Sequence, residues 1–228
     1  MKTNKLVVLV LAAIPAVLGG STFAADASAC GMSVRMDPTP QRPTPVQEIA
    51  RAEKALESGQ NLVAAKAILG TFPRIRMAQP GVNPLESRAL RVFSLVVVRS
   101  SGAMTEKTAG FASQQEWTAN ANLEWAVQSL REIDEKRPND PTVQADLGEA
   151  LSKLPHGQDE ALKLLQGLAQ KDLMGSPHAY AALAKMRGEK GDAAGAEAAI
   201  KRCEEMSKTP SVCKPATPAK PTFAAAKV

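Results

Sequence analysis

The chain has 228 residues, a net charge of +5, 22% charged residues and only 4% aromatic ones. So mild a charge with so few stacking side chains excludes a basic, aromatic-interleaved stripe, and with it a nucleic-acid surface. The length admits a sizeable core, and the 44% hydrophobic content can fill it.

Lys2 and Lys5 precede an apolar segment, Leu6 to Leu18, and Ala24 or Ala27 can serve as a cleavage residue with Thr22 or Ala25 two before it. This is the pattern of a secretory signal over residues 1–24, with cleavage as late as 27. The segment is shorter than a stable membrane span. Its removal takes away Lys2 and Lys5, so the net charge falls from +5 to +3. Export to a periplasm or the exterior is expected. The alternative is a lipoprotein signal ending Ala27-Ser28-Ala29 before Cys30, which would tether the protein to a membrane through that cysteine. Residues 25–43 hold Pro38, Pro40 and Pro43 in a polar context and read as an extended leader.

From residue 44 the chain becomes periodic. Thr44-Pro45, Asn83-Pro84, Asp140-Pro141 and Ser176-Pro177 each place an N-cap side chain directly before a proline. The cap satisfies an orphan amide of the first turn, and proline there wastes no amide and already holds a helical φ. Gln47 after Thr44 and Glu86 after Asn83 come close to capping boxes. Turn residues follow each start at a helix's distance: Ser58-Gly59-Gln60-Asn61, Pro155-His156-Gly157, and Gly188 through Gly191-Asp192. The predicted units are 44–77, 83–139, 140–175 and 176–209, each a helix, a turn and a helix.

The second unit differs. Its first helix, from Pro84 to about Arg99, carries Leu90, Val92, Phe93, Leu95, Val96, Val97 and Val98, apolar nearly all round. A buried strand is the competing reading, and the Asn83-Pro84 start favours a helix. An insertion near 100–113 follows. Ser113 with Glu116 offers a capping box before Trp117, so the second helix is expected to begin there and run to about Lys136, carrying Trp117 and Trp125. Such an insertion is a candidate contact site.

Within the second helices a spacing recurs. Ala126, Ala161 and Ala196 stand 35 residues apart, followed four residues later by Leu130, Leu165 and Ile200, and three after that by Ile133, Leu168 and Cys203. Ala64 with Ile68 is a weaker first copy. The small residue lets two helices approach, and the next two positions fall on the same face. A fixed period of this length means stacked hairpins. Leu147-Gly148, Ala161, Leu165, Leu168, Ala196, Ile200 and the ending Pro138-Asn139-Asp140 resemble the tetratricopeptide repeat, over about residues 44 to 210. The resemblance implies an all-α fold, a short right-handed α-solenoid of tandem hairpins.

It also implies a task. First helices of such arrays line a concave groove that takes a peptide or helix of another protein. The groove candidates by this mapping are Ile49 and Glu53, Ala89 and Val92, Ala145, Glu149 and Ser152, then Ala181, Lys185 and Glu189. At the places where some members clamp a terminal carboxylate stand Ile49, Glu53, Thr142 and Asp146, so no such clamp is expected.

The two histidines, His156 and His178, have no metal-ligand spacing with each other or with a cysteine. No nucleophile elbow, phosphate loop or His-Glu-x-x-His helix occurs. Neither catalysis nor a cofactor nor a small-molecule substrate is indicated. In an oxidising compartment Cys203 and Cys213 can close a short loop fastening the chain after the last helix; the alternative is that Cys203 is simply packed as a small hydrophobe. Residues 211–228, with Pro215, Pro218 and Pro221, read as a disordered tail. The expected protein is a non-catalytic adaptor for an envelope protein, the alternatives being an accessory subunit of an envelope enzyme or a structural lipoprotein tethered through Cys30.

Overall fold

A computed structural model describes residues 42–113 and 115–214. The expected signal segment, Cys30, nearly all of the leader, and the tail beyond Lys214 lie outside the described residues. Eight α-helices and no strand occur among the described residues. They form four successive pairs: α1 (Pro45–Glu57) with α2 (Asn61–Thr71), α3 (Pro84–Arg99) with α4 (Ala119–Lys136), α5 (Pro141–Leu151) with α6 (Gln158–Gln170), and α7 (Pro177–Glu189) with α8 (Ala193–Met206). Short 3-10 turns occupy Ile75–Met77 and Pro210–Cys213. No helix among the described residues is long and apolar enough to cross a membrane.

Every odd helix starts as the capping chemistry dictates. Thr44 and Gln47 complete a reciprocal box, with the Thr44 amide donating to Gln47 Oε1 at 2.8 Å and the Gln47 amide to Thr44 Oγ1 at 3.3 Å. Asn83 Oδ1 accepts from the Leu85 and Glu86 amides, Asp140 Oδ1 from Thr142 and Val143, and Ser176 Oγ from Ala179. A proline occupies the first turn each time. Gly59 and Gly191, both at positive φ, turn the first and last hairpins, and Asn139 adopts φ 66° between α4 and α5.

The pairs stack in sequence. Each even helix packs on its own partner and on the next odd helix, while the odd helices also touch one another from α1 to α3 to α5 to α7. The run on α3 is helical and buried on all sides, because α1, α2, α4 and α5 surround it. Ala64, Ala126 and Ala161 have no exposed surface, and Ile68, Leu130 and Leu165 are equally enclosed. Leu147 is buried beside Gly148, where a Cβ would lie 2.5 Å from Leu165 Cδ2, so the absent side chain sets how closely α5 and α6 approach.

Two expectations are corrected. Ala196 and Ile200 are only half-buried, and the enclosed positions of α8 are Ala199 and Cys203. The spacing requires a neighbour on both sides, and α8 packs on α7 and the 3-10 turn with no following hairpin among the described residues. Nor does α4 begin before Trp117. Thr118 is its N-cap, with Oγ1 accepting from the Ala121 amide at 3.2 Å, whereas the Ser113 hydroxyl is taken up by the Gln115 backbone.

The insertion therefore runs from Ser100 through Thr118, and it is folded onto the array. Fully buried Asn122 donates through Nδ2 to the carbonyls of Gly102 and Met104 at 2.8 and 2.6 Å. Gly102, at φ +80°, passes so close to the Ala119 carbonyl that no side chain fits there. Arg76 Nε donates to Glu106 at 2.5 Å and Nη2 to Asn122 Oδ1 at 2.9 Å. Its guanidinium lies 4.3 Å from the Trp117 ring centre, 4.1 Å from Trp125 and 5.2 Å from Phe93. A desolvated cation held between aromatic faces is attracted by their quadrupoles.

Candidate functional site

Where the odd helices converge they line an open-sided cavity of about 550 Å³. Its walls are Glu53, Leu56 and Glu57 of α1, Arg91, Val92, Leu95 and Arg99 of α3, Thr142, Ala145 and Asp146 of α5, and Gly175 to His178 at the start of α7. Met206, at the end of α8, and Ser207, Lys208 and Val212 of the segment that follows it supply the remaining side.

The floor is built from charge. Arg88, Arg91 and Arg99 recur at three and eleven residues along α3, which puts them on one helical face. Each reaches a carboxylate on a neighbouring helix. Arg88 makes a two-pronged pair with Glu53 of α1 at 2.8 and 2.6 Å. Arg91 Nε donates to Asp146 of α5 at 2.5 Å. Arg99 grips both oxygens of Glu149, one turn further along α5, at 3.0 Å each. Planar guanidinium and carboxylate groups suit this geometry, so the ladder fixes the spacing and register of α1, α3 and α5.

Burial and pairing compete along that ladder. Around Arg99 burial opposes the charge, but Glu149, Asp146 and Glu57 overcome it and hold the pKa above its ordinary value. Burial works against the Glu149 carboxylate too; Arg99 outweighs it and keeps the pKa low. At Asp146 burial wins over Arg91 and pushes the pKa up to about 6. Burial and the nearby Arg99 charge bring His178 down to about 4, with Glu149 opposing.

These two groups give stability opposite dependences on pH. The folded chain keeps a proton on Asp146 up to about pH 6, whereas the ordinary value is 3.8, so this residue's contribution declines as pH rises between them. His178 loses its proton near pH 4 when folded and near 6.5 when not, so its contribution grows as pH rises through that window. His178→Gln removes the second effect alone. Urea midpoints at about pH 4 and about pH 6.5 should then show wild type gaining on the variant as pH rises; a constant difference would contradict the burial of His178.

Of the groove residues expected from sequence, Glu53, Val92 and Ala145 border the cavity, but Val92 and Ala145 are each only 1% exposed, so Glu53 alone of the three offers a partner appreciable surface. Ile49, Ala89 and Glu149 do not offer surface to a partner, being at most 2% exposed. Their mapping is corrected by the packing of odd helix on odd helix: Ile49 and Ala89 fall in the core, and Glu149 is consumed by Arg99. Ser152 is half-buried, its hydroxyl donating to the Glu149 carbonyl at 2.6 Å. Ala181 is half-buried, and Lys185 and Glu189 are exposed and paired with each other at 3.7 Å; none of the three lines the cavity. Arg91, Arg99, His178, Lys208 and Val212 were not among the expected groove residues. Arginines at 88, 91 and 99 around an apolar helix were the available signal, since a charge in such a setting needs a partner.

Cys203 and Cys213 are joined in a disulfide, as the first of the two readings expects, and the alternative of a Cys203 that is merely packed gives way to it, although the residue is also fully buried. No group of three or more His, Cys, Asp or Glu side chains suited to a metal ion occurs among the described residues. No protein-family model, curated protein or solved structure matches the chain. The class the fold defines is thus an all-helical protein of successively packed helix pairs, consistent with a solenoid.

Proposed function

We propose that the protein is an exported, non-catalytic adaptor whose helix pairs form a right-handed array of the tetratricopeptide type, and that its cavity receives a peptide or helix of another envelope protein. The observation that carries this reading is the convergence of α1, α3, α5 and α7 on one cavity. Leu56, Val92 and Leu95 lie buried behind its surface, so what it offers a partner is mainly the charges and hydroxyl of Glu53, Glu57, Thr142 and Lys208 beside half-buried Val212, a lining suited to polar side chains along a partner. The expected signal segment and the disulfide both fit an oxidising compartment outside the cytoplasm.

Glu57 and Lys208 make the fitting test. Both line the cavity, both are exposed, and neither forms an ion pair among the described residues. Reversing both charges, Glu57→Lys with Lys208→Glu, should keep helicity, lower melting only by what the Glu57 attraction on Arg99 contributes, and reduce capture of the partner from an envelope extract by roughly tenfold. Equal recovery would place the contact elsewhere. Reversal at Glu149 would not serve, because that carboxylate belongs to the fold.

A further inference from the structure

The segment between Cys203 and Cys213 forms a side of the cavity, yet little besides the disulfide holds it there. Met206, Ser207, Lys208 and Val212 line the space, while Lys208, Pro210 and Ser211 are exposed and only Cys213 is fully buried. Its recorded hydrogen bonds are local. The Ser207 amide donates to the Cys203 carbonyl, the Ser207 hydroxyl donates to the Thr209 carbonyl and accepts from the Thr209 amide, and the Val212 amide donates to the Thr209 carbonyl. None among the described residues reaches α1, α3 or α5. The 3-10 turn Pro210–Cys213 rests on α7 and α8 through Val212 and Cys213 alone among its large or apolar buried groups.

Ordering a chain segment costs conformational entropy at every residue, and two small apolar side chains offset little of it. A covalent closure between positions ten apart removes most of that freedom beforehand. The helices do not share this dependence. α7 and α8 pack on each other along their length, and α1, α3 and α5 are joined by the arginine ladder.

We propose that the Cys203–Cys213 disulfide is a strap that holds one wall of the cavity, so that the cavity is complete only in the oxidised chain and opens at the α7 end when the bond is reduced. The reduction is a two-electron exchange with a dithiol. A thiolate of the reductant attacks one sulfur, the Sγ–Sγ bond breaks, both cysteines end as thiols, and the reductant closes to its own disulfide. With both sulfurs at most 2% exposed, attack requires the segment to lift first. The strap is therefore shielded while closed. Its consequence for capture rests on the binding role proposed above, but the opening itself does not.

Hydrogen exchange on the full chain tests this, comparing the oxidised protein, the protein reduced with dithiothreitol, and Cys213→Ser, which leaves the core residue Cys203 in place. In both bond-free forms the hydrogen-bonded amides of Ser207, Thr209 and Val212 should exchange at least about tenfold faster, while those of Val96 and Val97 in α3 keep their rates. Two results would overturn the proposal: protection of Ser207, Thr209 and Val212 within about twofold of the oxidised chain, or loss of protection in α3 together with theirs. The second would make the bond a fastener of the whole array. No partner is needed for this readout, so a failure to capture one leaves its outcome intact.

Discussion

Glu149→Ala is expected to cost about 3–5 kcal/mol, the penalty for leaving one member of a buried ion pair without its counter-charge. Arg99 would keep its charge in a place that Glu149, now at 2% exposure, helps to close from water. Urea denaturation of wild type, Glu149→Leu, Arg99→Met and the Glu149→Leu/Arg99→Met double variant gives the cycle, with Glu149→Ala measured beside it. The double variant should recover most of the loss, because apolar groups of similar size can replace a buried pair at little cost. Single variants costing under about 1 kcal/mol would mean that water reaches Arg99, and the ladder would then be a surface feature.

Arg76→Ala is the second large loss, again about 3–5 kcal/mol. The substitution strips Glu106 and Asn122 of a shared donor and empties the space between two indole rings. Burial already lowers the Arg76 pKa, with Glu106 opposing. The effect should concentrate on the insertion: exchange in residues 100–118 should rise before the rest of the array responds, and tryptophan emission should shift to the red. Arg76→Lys should not restore it, since an ammonium cannot stack between planes while meeting two acceptors in fixed directions. Equal stability of the lysine variant would show that the site needs only a positive charge.

Local chemistry was the most legible part of this chain. Four cap-proline pairs marked four helix starts at the residues where they occur, because capping depends on neighbours one to three positions away. The apolar run of α3 could be assigned for the same reason. What depended on the other side of a helix could not. Ala196 kept the spacing of Ala126 and Ala161, but no following pair encloses it among the described residues. Trp117 sat in what read as a helix start, and its place is set instead by Arg76, some forty residues earlier in sequence. The groove mapping failed in the same manner at Ile49, Ala89 and Glu149. A generic register gives the face of a helix, whereas the exposure of that face depends on how closely the next odd helix packs. Arg91 and Arg99 became meaningful only once Asp146 and Glu149 stood opposite them.

The proposal that the cavity between the odd helices holds another protein can be tested at single positions. Site-specific photocrosslinking addresses it directly, with a photoreactive residue placed in turn at Thr142, on the cavity wall, and at Glu204, exposed on α8 away from it. A partner in an envelope extract should become attached through position 142 and not through position 204. Attachment through 204 alone, or equally through both, would contradict it.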